Sequence, residues 1–276
     1  MLPTFAAADL HIEIKAEPLF ELGSFVVTNS MLTGVIGYAL VIWLFFAVRK
    51  ALKTGKGNYL TKGVVWIFEM LYKTVLQVVP DPQIAKKVAP LAITLFFMIA
   101  INYWLGILPG VGTITTAEGV PVFRGLLADL NVTFALAIIT MVMAQVYAAQ
   151  VHGFFGNAGR YLKNPFKDPA GAFEGVLELI GEFSRLFALS LRLFGNVFAG
   201  EVLLIAVGYV AAYFASVALL PVMVFELFIG GVQAYVFFML TAVFISLGVV
   251  SHGSHNEASD SDHSPADKSK KLAANG

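Results

Sequence analysis

Glu182-Phe-Ser-Arg-Leu-Phe-Ala-Leu-Ser-Leu-Arg-Leu-Phe-Gly-Asn-Val-Phe-Ala-Gly-Glu201 lies within a proline-free, mostly apolar stretch, residues 170–220. The stretch also carries Glu174 and Glu178, and residues 202–220 hold no charge. Its composition predicts one continuous helix of about 40 residues, roughly 60 Å long at 1.5 Å per residue. That is twice the hydrocarbon thickness of a bilayer, so the helix must slant steeply, bend or run partly outside the core. At 100° per residue, Glu174, Glu178, Glu182, Arg185, Arg192 and Asn196 fall on one stripe about 80° wide, and Glu201 falls about 180° from Glu174. A charge at mid-bilayer costs about 2.5–3.5 kcal/mol on insertion scales, so such a stripe must face water or another protein. Glu201, on the other side, is expected to face the interior of the protein.

A plain ion-pair ladder among Glu178, Glu182 and Arg185 accounts for the first half of the stripe equally well. It does not account for Arg192. The positions three and four residues away are Ala188, Leu189, Gly195 and Asn196, none of them acidic. A guanidinium does not deprotonate in a protein, so its counter-charge must come from another helix or another chain. The last apolar run, from Pro221 to about residue 250, offers Glu226 and Gln233, seven residues apart, with Gly230 and Gly231 between them. Small residues permit close helix approach. This pattern fits either a polar path or an isolated carboxylate bonded to a neighbouring helix.

The rest of the chain fixes the class. Of 276 residues, 58% are hydrophobic and 13% charged. A soluble domain is nearer half apolar and a quarter charged, so the fold class is an all-α polytopic membrane protein. The 18 basic and 18 acidic residues balance, leaving no basic excess for nucleic acid. Without cysteine there are no disulfides, thiolate chemistry or cysteine metal sites. Residues 25–48 are charge-free and long enough to span. Arg49, Lys50, Lys53, Lys56 and Lys62 follow, which puts that side in the cytoplasm and the N-terminus outside. Residues 63–80 carry Glu69 and Lys73 on one face and read as an interfacial amphipathic helix, ended by Pro80-Asp-Pro82. Residues 88–107 form a second span. Residues 110–128 form an external loop, with Glu118 and Arg124 balancing. Asp129 is placed to cap a third span ending near residue 151. A cytoplasmic loop with Arg160, Lys163 and Lys167 follows.

The expected organisation is an acidic external head (1–24), a membrane domain (25–250) and a disordered cytoplasmic tail (251–276). It comprises about five crossings plus one interfacial helix. No phosphate-binding loop occurs, since Lys53-Thr-Gly-Lys-Gly57 is only a basic loop. His252, His255 and His263 read as a solvated tail rather than a metal site. No cofactor is expected.

Ser190-Leu-Arg-Leu-Phe-Gly-Asn-Val-Phe-Ala-Gly-Glu201 closely resembles the signature of subunit a of the F-type ATP synthase. So does Glu226-Leu-Phe-Ile-Gly-Gly-Val-Gln-Ala-Tyr-Val-Phe237. Ala89-Pro-Leu-Ala-Ile-Thr-Leu-Phe-Phe97 with Asn102, and Asp129-Leu-Asn-Val-Thr133, resemble the family's earlier spans. The resemblance covers roughly residues 31–247 and implies a non-catalytic, proton-translocating stator subunit of the synthase's membrane sector. The last two long helices would form a steeply tilted hairpin, and two offset aqueous half-channels would meet a rotating ring of c subunits. The resemblance makes Arg192 the essential arginine. It assigns Asn196, Glu201, Glu226 and Gln233 to the external half-channel and Glu178 to the cytoplasmic one. The implied partners are the c-ring, the peripheral-stalk b subunits, the remainder of the ATP synthase and membrane lipid, with no nucleic acid. The implied location is the cell inner (plasma) membrane. Many relatives carry an Asp soon after the position of Asn102, whereas Tyr103-Trp-Leu105 stands here, so that acid is missing or replaced. The alternative reading is a secondary transporter whose intramembrane arginine binds an anionic substrate. Transporters usually show paired repeats and broken helices, and the sequence shows neither.

Overall fold

The computed structural model describes residues 16–22, 25–55, 57–108, 111, 116, 121–153, 156, 169–211 and 214–250. Six helices stand out among them: α1 (Asn29–Thr54), α2 (Tyr59–Val78), α3 (Pro82–Ile107), α4 (Leu130–His152), α5 (Pro169–Ala211) and α6 (Ala215–Val250). All but α2 are long and apolar enough to cross a membrane. α2 turns only Leu71 and Val75 fully inward, as an interfacial helix does. The residue ranges expected for the head, the tail and the loop holding Arg160, Lys163 and Lys167 lie wholly or largely outside the described residues.

Local chemistry sets the ends, and it moves several expected boundaries. The first span does not begin at Phe25. Strand β2 (Phe25–Thr28) pairs antiparallel with β1 (Pro18–Leu22), and α1 starts only where the Thr28 hydroxyl accepts the Met31 N–H at 3.4 Å. α1 then continues through Arg49, Lys50 and Lys53, whose positive charges suit a helix C-terminus. Gly55, at φ 65°, ends it in the left-handed conformation that glycine tolerates. α3 begins six residues before the expected Val88, because Asp81 caps the Gln83 N–H at 2.7 Å and Pro82 occupies the first turn, where its missing N–H does no harm. The loop expected over residues 110–128 is not all solvent-exposed. Its end forms a short 3-10 turn, Leu126–Ala128, that is fully buried.

The expected single helix over residues 170–220 stops at Ala211. α6 starts at Ala215 and takes Pro221 into its body. Pro221 removes one ladder hydrogen bond, which a membrane helix tolerates when neighbours absorb the bend. Pro90 does the same inside α3. The Thr94 hydroxyl donates to the Pro90 carbonyl at 2.6 Å, and the Tyr147 hydroxyl of α4 donates to the Lys87 carbonyl at 3.0 Å.

Two apolar clusters hold the helices together. One joins α2, α3, α4 and α6 around Leu71, Val88, Tyr147, Phe238 and Ile245. The other joins α3, α4, α5 and α6 around Ile99, Leu136, Leu189, Leu193 and Phe237. α3 and α6 run through both and make the most extensive helix–helix contact. By contrast α1 buries only Asn29, Ser30, Thr33, Gly34 and Gly37, and its later residues, Trp43, Phe45 and Phe46 among them, are exposed.

Candidate functional site

α5 buries Leu189, Leu193, Val197 and Gly200 against its neighbours. Arg192 and Asn196 stand at one margin of that buried face and Glu201 at the other. Arg192 is exposed. Among the described residues it makes no hydrogen bond and has no carboxylate within 4.0 Å. One turn on, the Asn196 amide donates to the Gln233 side-chain oxygen at 2.6 Å, although Gln233 itself is buried in α6. In the first half of the stripe, Arg185 donates to Glu182 at 2.9 Å and lies over the Phe244 ring. These two residues therefore form the local ion pair that the ladder reading anticipates. Glu178 is partly buried on the same stripe, about 21 Å before Arg192 along the axis.

Glu201 points inward. Its carboxylate meets the Arg124 guanidinium at 3.7 Å, and a Cβ on Gly125 would stand 3.0 Å from it. Glu226 is 3% exposed and accepts the Tyr103 phenol at 3.0 Å. Both carboxylates line one cavity of about 20 Å³, enough for a water molecule, walled by Asn102, Tyr103, Gly106, Gly125 and Gly200. The structure thus brings Glu201 and Glu226 together, joins Asn196 to Gln233, and leaves Arg192 and Glu178 apart from both. The glycines open the space: a Cβ on Gly200 would sit 2.5 Å from a Glu226 oxygen, and one on Gly230 would collide with the Tyr103 ring. Nearby, the buried Oδ1 of Asn102 has no hydrogen-bond partner among the described residues, while its amide donates to the Met98 carbonyl at 2.8 Å. A Cβ on Gly37 would collide with that side chain.

Two members of this cluster are not among the residues expected from sequence. Tyr103 reads there only as a replacement for a missing acid, and Arg124 only as the balance to Glu118. Arg124 does leave a signal, being the one cation in residues 110–128.

The family profile described as "ATP synthase A chain" matches residues 31–246. ATP synthase subunit a of Mycobacterium leprae is 30% identical over 238 residues, 85% of this chain and 91% of that protein. The subunit a of Aliivibrio salmonicida is 31% identical over 79% of this chain and 81% of its own length. ATP synthase subunit a 2 of Chlorobaculum tepidum is 30% identical over 79% of this chain, and the match spans only 61% of that relative. The chain belongs to the ATP synthase A chain family and is a multi-pass subunit of an ATP synthase membrane sector.

Proposed function

We propose that this subunit is the stator half of a rotary proton path and performs no ATP chemistry itself. It offers two offset aqueous half-channels to a ring of c subunits. The external one is lined by Asn196, Glu201, Glu226 and Gln233, and the cytoplasmic one includes Glu178. The N-terminus lies outside and the C-terminus in the cytoplasm of a plasma membrane, and the peripheral-stalk b subunits hold the assembly still.

The observation that carries the reading is the exposed guanidinium of Arg192 on an apolar helix, unpaired among the described residues. A fixed positive charge favours the ionised form of any carboxylate brought beside it. At about 4 Å and an effective dielectric near 20, the attraction is roughly 4 kcal/mol. A ring carboxylate reaching Arg192 therefore releases its proton to the exit side, and no proton passes directly from one half-channel to the other. Each charge moved through the full potential gains about 2.3 kcal/mol per 100 mV, which turns a rotor only when that leak is closed.

Arg192→Ala in the assembled synthase tests this. Reconstituted vesicles should lose coupled ATP synthesis and ATP-driven proton pumping while the ring still co-purifies. Pumping at the wild-type rate would refute the role.

A further inference from the structure

Two adjacent aromatic residues of α3 hold two adjacent residues of α6. The Tyr103 phenol donates to Glu226 at 3.0 Å, and the Trp104 indole N–H donates to the Leu227 carbonyl at 3.0 Å. Tyr103 is 2% exposed and Glu226 3%, so the first bond is shut away from solvent. Gly230 makes room for the phenol ring, and Gly200 for the carboxylate. The groups facing Glu226 are Tyr103 and Asn102 from α3, and Glu201 from α5 with Arg124 behind it. Among the described residues no cation lies within 4.0 Å of Glu226, and Tyr103 is its one side-chain hydrogen-bond donor.

We infer that Tyr103 is a positioning residue for proton transfer at Glu226, holding this carboxylate on the wall of the cavity it shares with Glu201. The chemistry favours a phenol there. A hydroxyl both donates and accepts, so the contact persists whether Glu226 is ionised or protonated. A lysine in the same place would trap the charged form, and a phenylalanine would leave the carboxylate without a partner. Trp104 fixes the backbone of the same turn of α6, which keeps Glu226 within reach of the phenol. The role rests on the reading of Glu226 as part of the external half-channel.

The test is a double-mutant cycle in the intact synthase, reconstituted in vesicles and stripped of its catalytic sector for passive proton flux. Tyr103→Phe keeps the ring and removes the O–H. It should slow flux about tenfold, the scale of one hydrogen bond to a charged group. Glu226→Gln should also slow flux, and adding Tyr103→Phe to it should change nothing further. An equal fold-loss in both backgrounds, or wild-type flux in Tyr103→Phe, overturns the role of Tyr103 alone. Wild-type flux in Glu226→Gln overturns the half-channel reading, and this role with it. A second measurement does not need the Tyr103 variant to assemble. With ring-labelled tyrosine, the infrared phenol band of the wild type should shift in Glu226→Gln, and an unmoved band counts against the contact.

Discussion

Asn196 donates to Gln233 at 2.6 Å across the two longest helices, one turn from Arg192. Since Gln233 is buried and Asn196 exposed, this bond carries a buried polar group out to the margin where Arg192 stands. Gln233→Leu should cost about 1 kcal/mol of stability, the net worth of a neutral hydrogen bond. It should also lower ATP-driven pumping, because Asn196 loses the partner that fixes it. Thermal unfolding of the purified complex and a pumping assay give the two numbers. Normal pumping would show that the bond serves packing only.

Gly200 tests the tightness of the cavity. A Cβ there would stand 2.5 Å from Glu226, so Gly200→Ala should destabilise by about 1–3 kcal/mol, as overpacking does, and slow proton flux. Gly63 is the control. It is exposed on α2 and a Cβ would meet nothing within 4 Å. Gly63→Ala should therefore stabilise by up to about 1 kcal/mol, from helix propensity. Melting curves of the two variants should move in opposite directions.

Arg124 and Glu201 make a separable pair. Their side chains are only 11% and 25% exposed. Arg124→Ala leaves the carboxylate without this cation and should cost about 1–2 kcal/mol, the weak end for charged contacts given the 3.7 Å separation. Adding Glu201→Gln should recover part of that loss, because a neutral amide needs no counter-ion. A denaturation series on wild type, single and double variants checks the recovery.

Asp129 caps α4 by accepting the Asn131 N–H at 2.9 Å, and it also accepts the Ser30 hydroxyl of α1 at 3.2 Å. Asp129→Ala should lower stability by about 1–2 kcal/mol, the upper part of the range for a lost N-cap. Asp129→Asn, which keeps a cap acceptor, should lose less. The order of the two midpoints on heating is the check.

The spans were legible because a bilayer imposes length and apolarity together, and a charge-free run of that length has few other uses. Their ends were less legible. α1 and α3 continue past the apolar core into Lys53 and back to Pro82, where capping rather than hydropathy decides the boundary. The strands at Pro18–Leu22 and Phe25–Thr28 left no alternation strong enough to separate them from the apolar run that follows. Of the site, Arg192 could be read from what it lacks nearby, and the inward direction of Glu201 from its angle on the helix. Tyr103 and Arg124 could not, because their contacts with Glu226 and Glu201 join segments far apart in the chain, and helical periodicity carries no information about such pairs.

α5 is 43 residues long, about 65 Å of rigid rod at 1.5 Å per residue. To keep its whole length inside a slab about 30 Å thick it must lean about 60° from the normal, trading height for sideways reach. Anything sliding along such a strut climbs or descends as it travels. Depth in the membrane and distance travelled across it thereby become a single coordinate, set by the geometry of one helix.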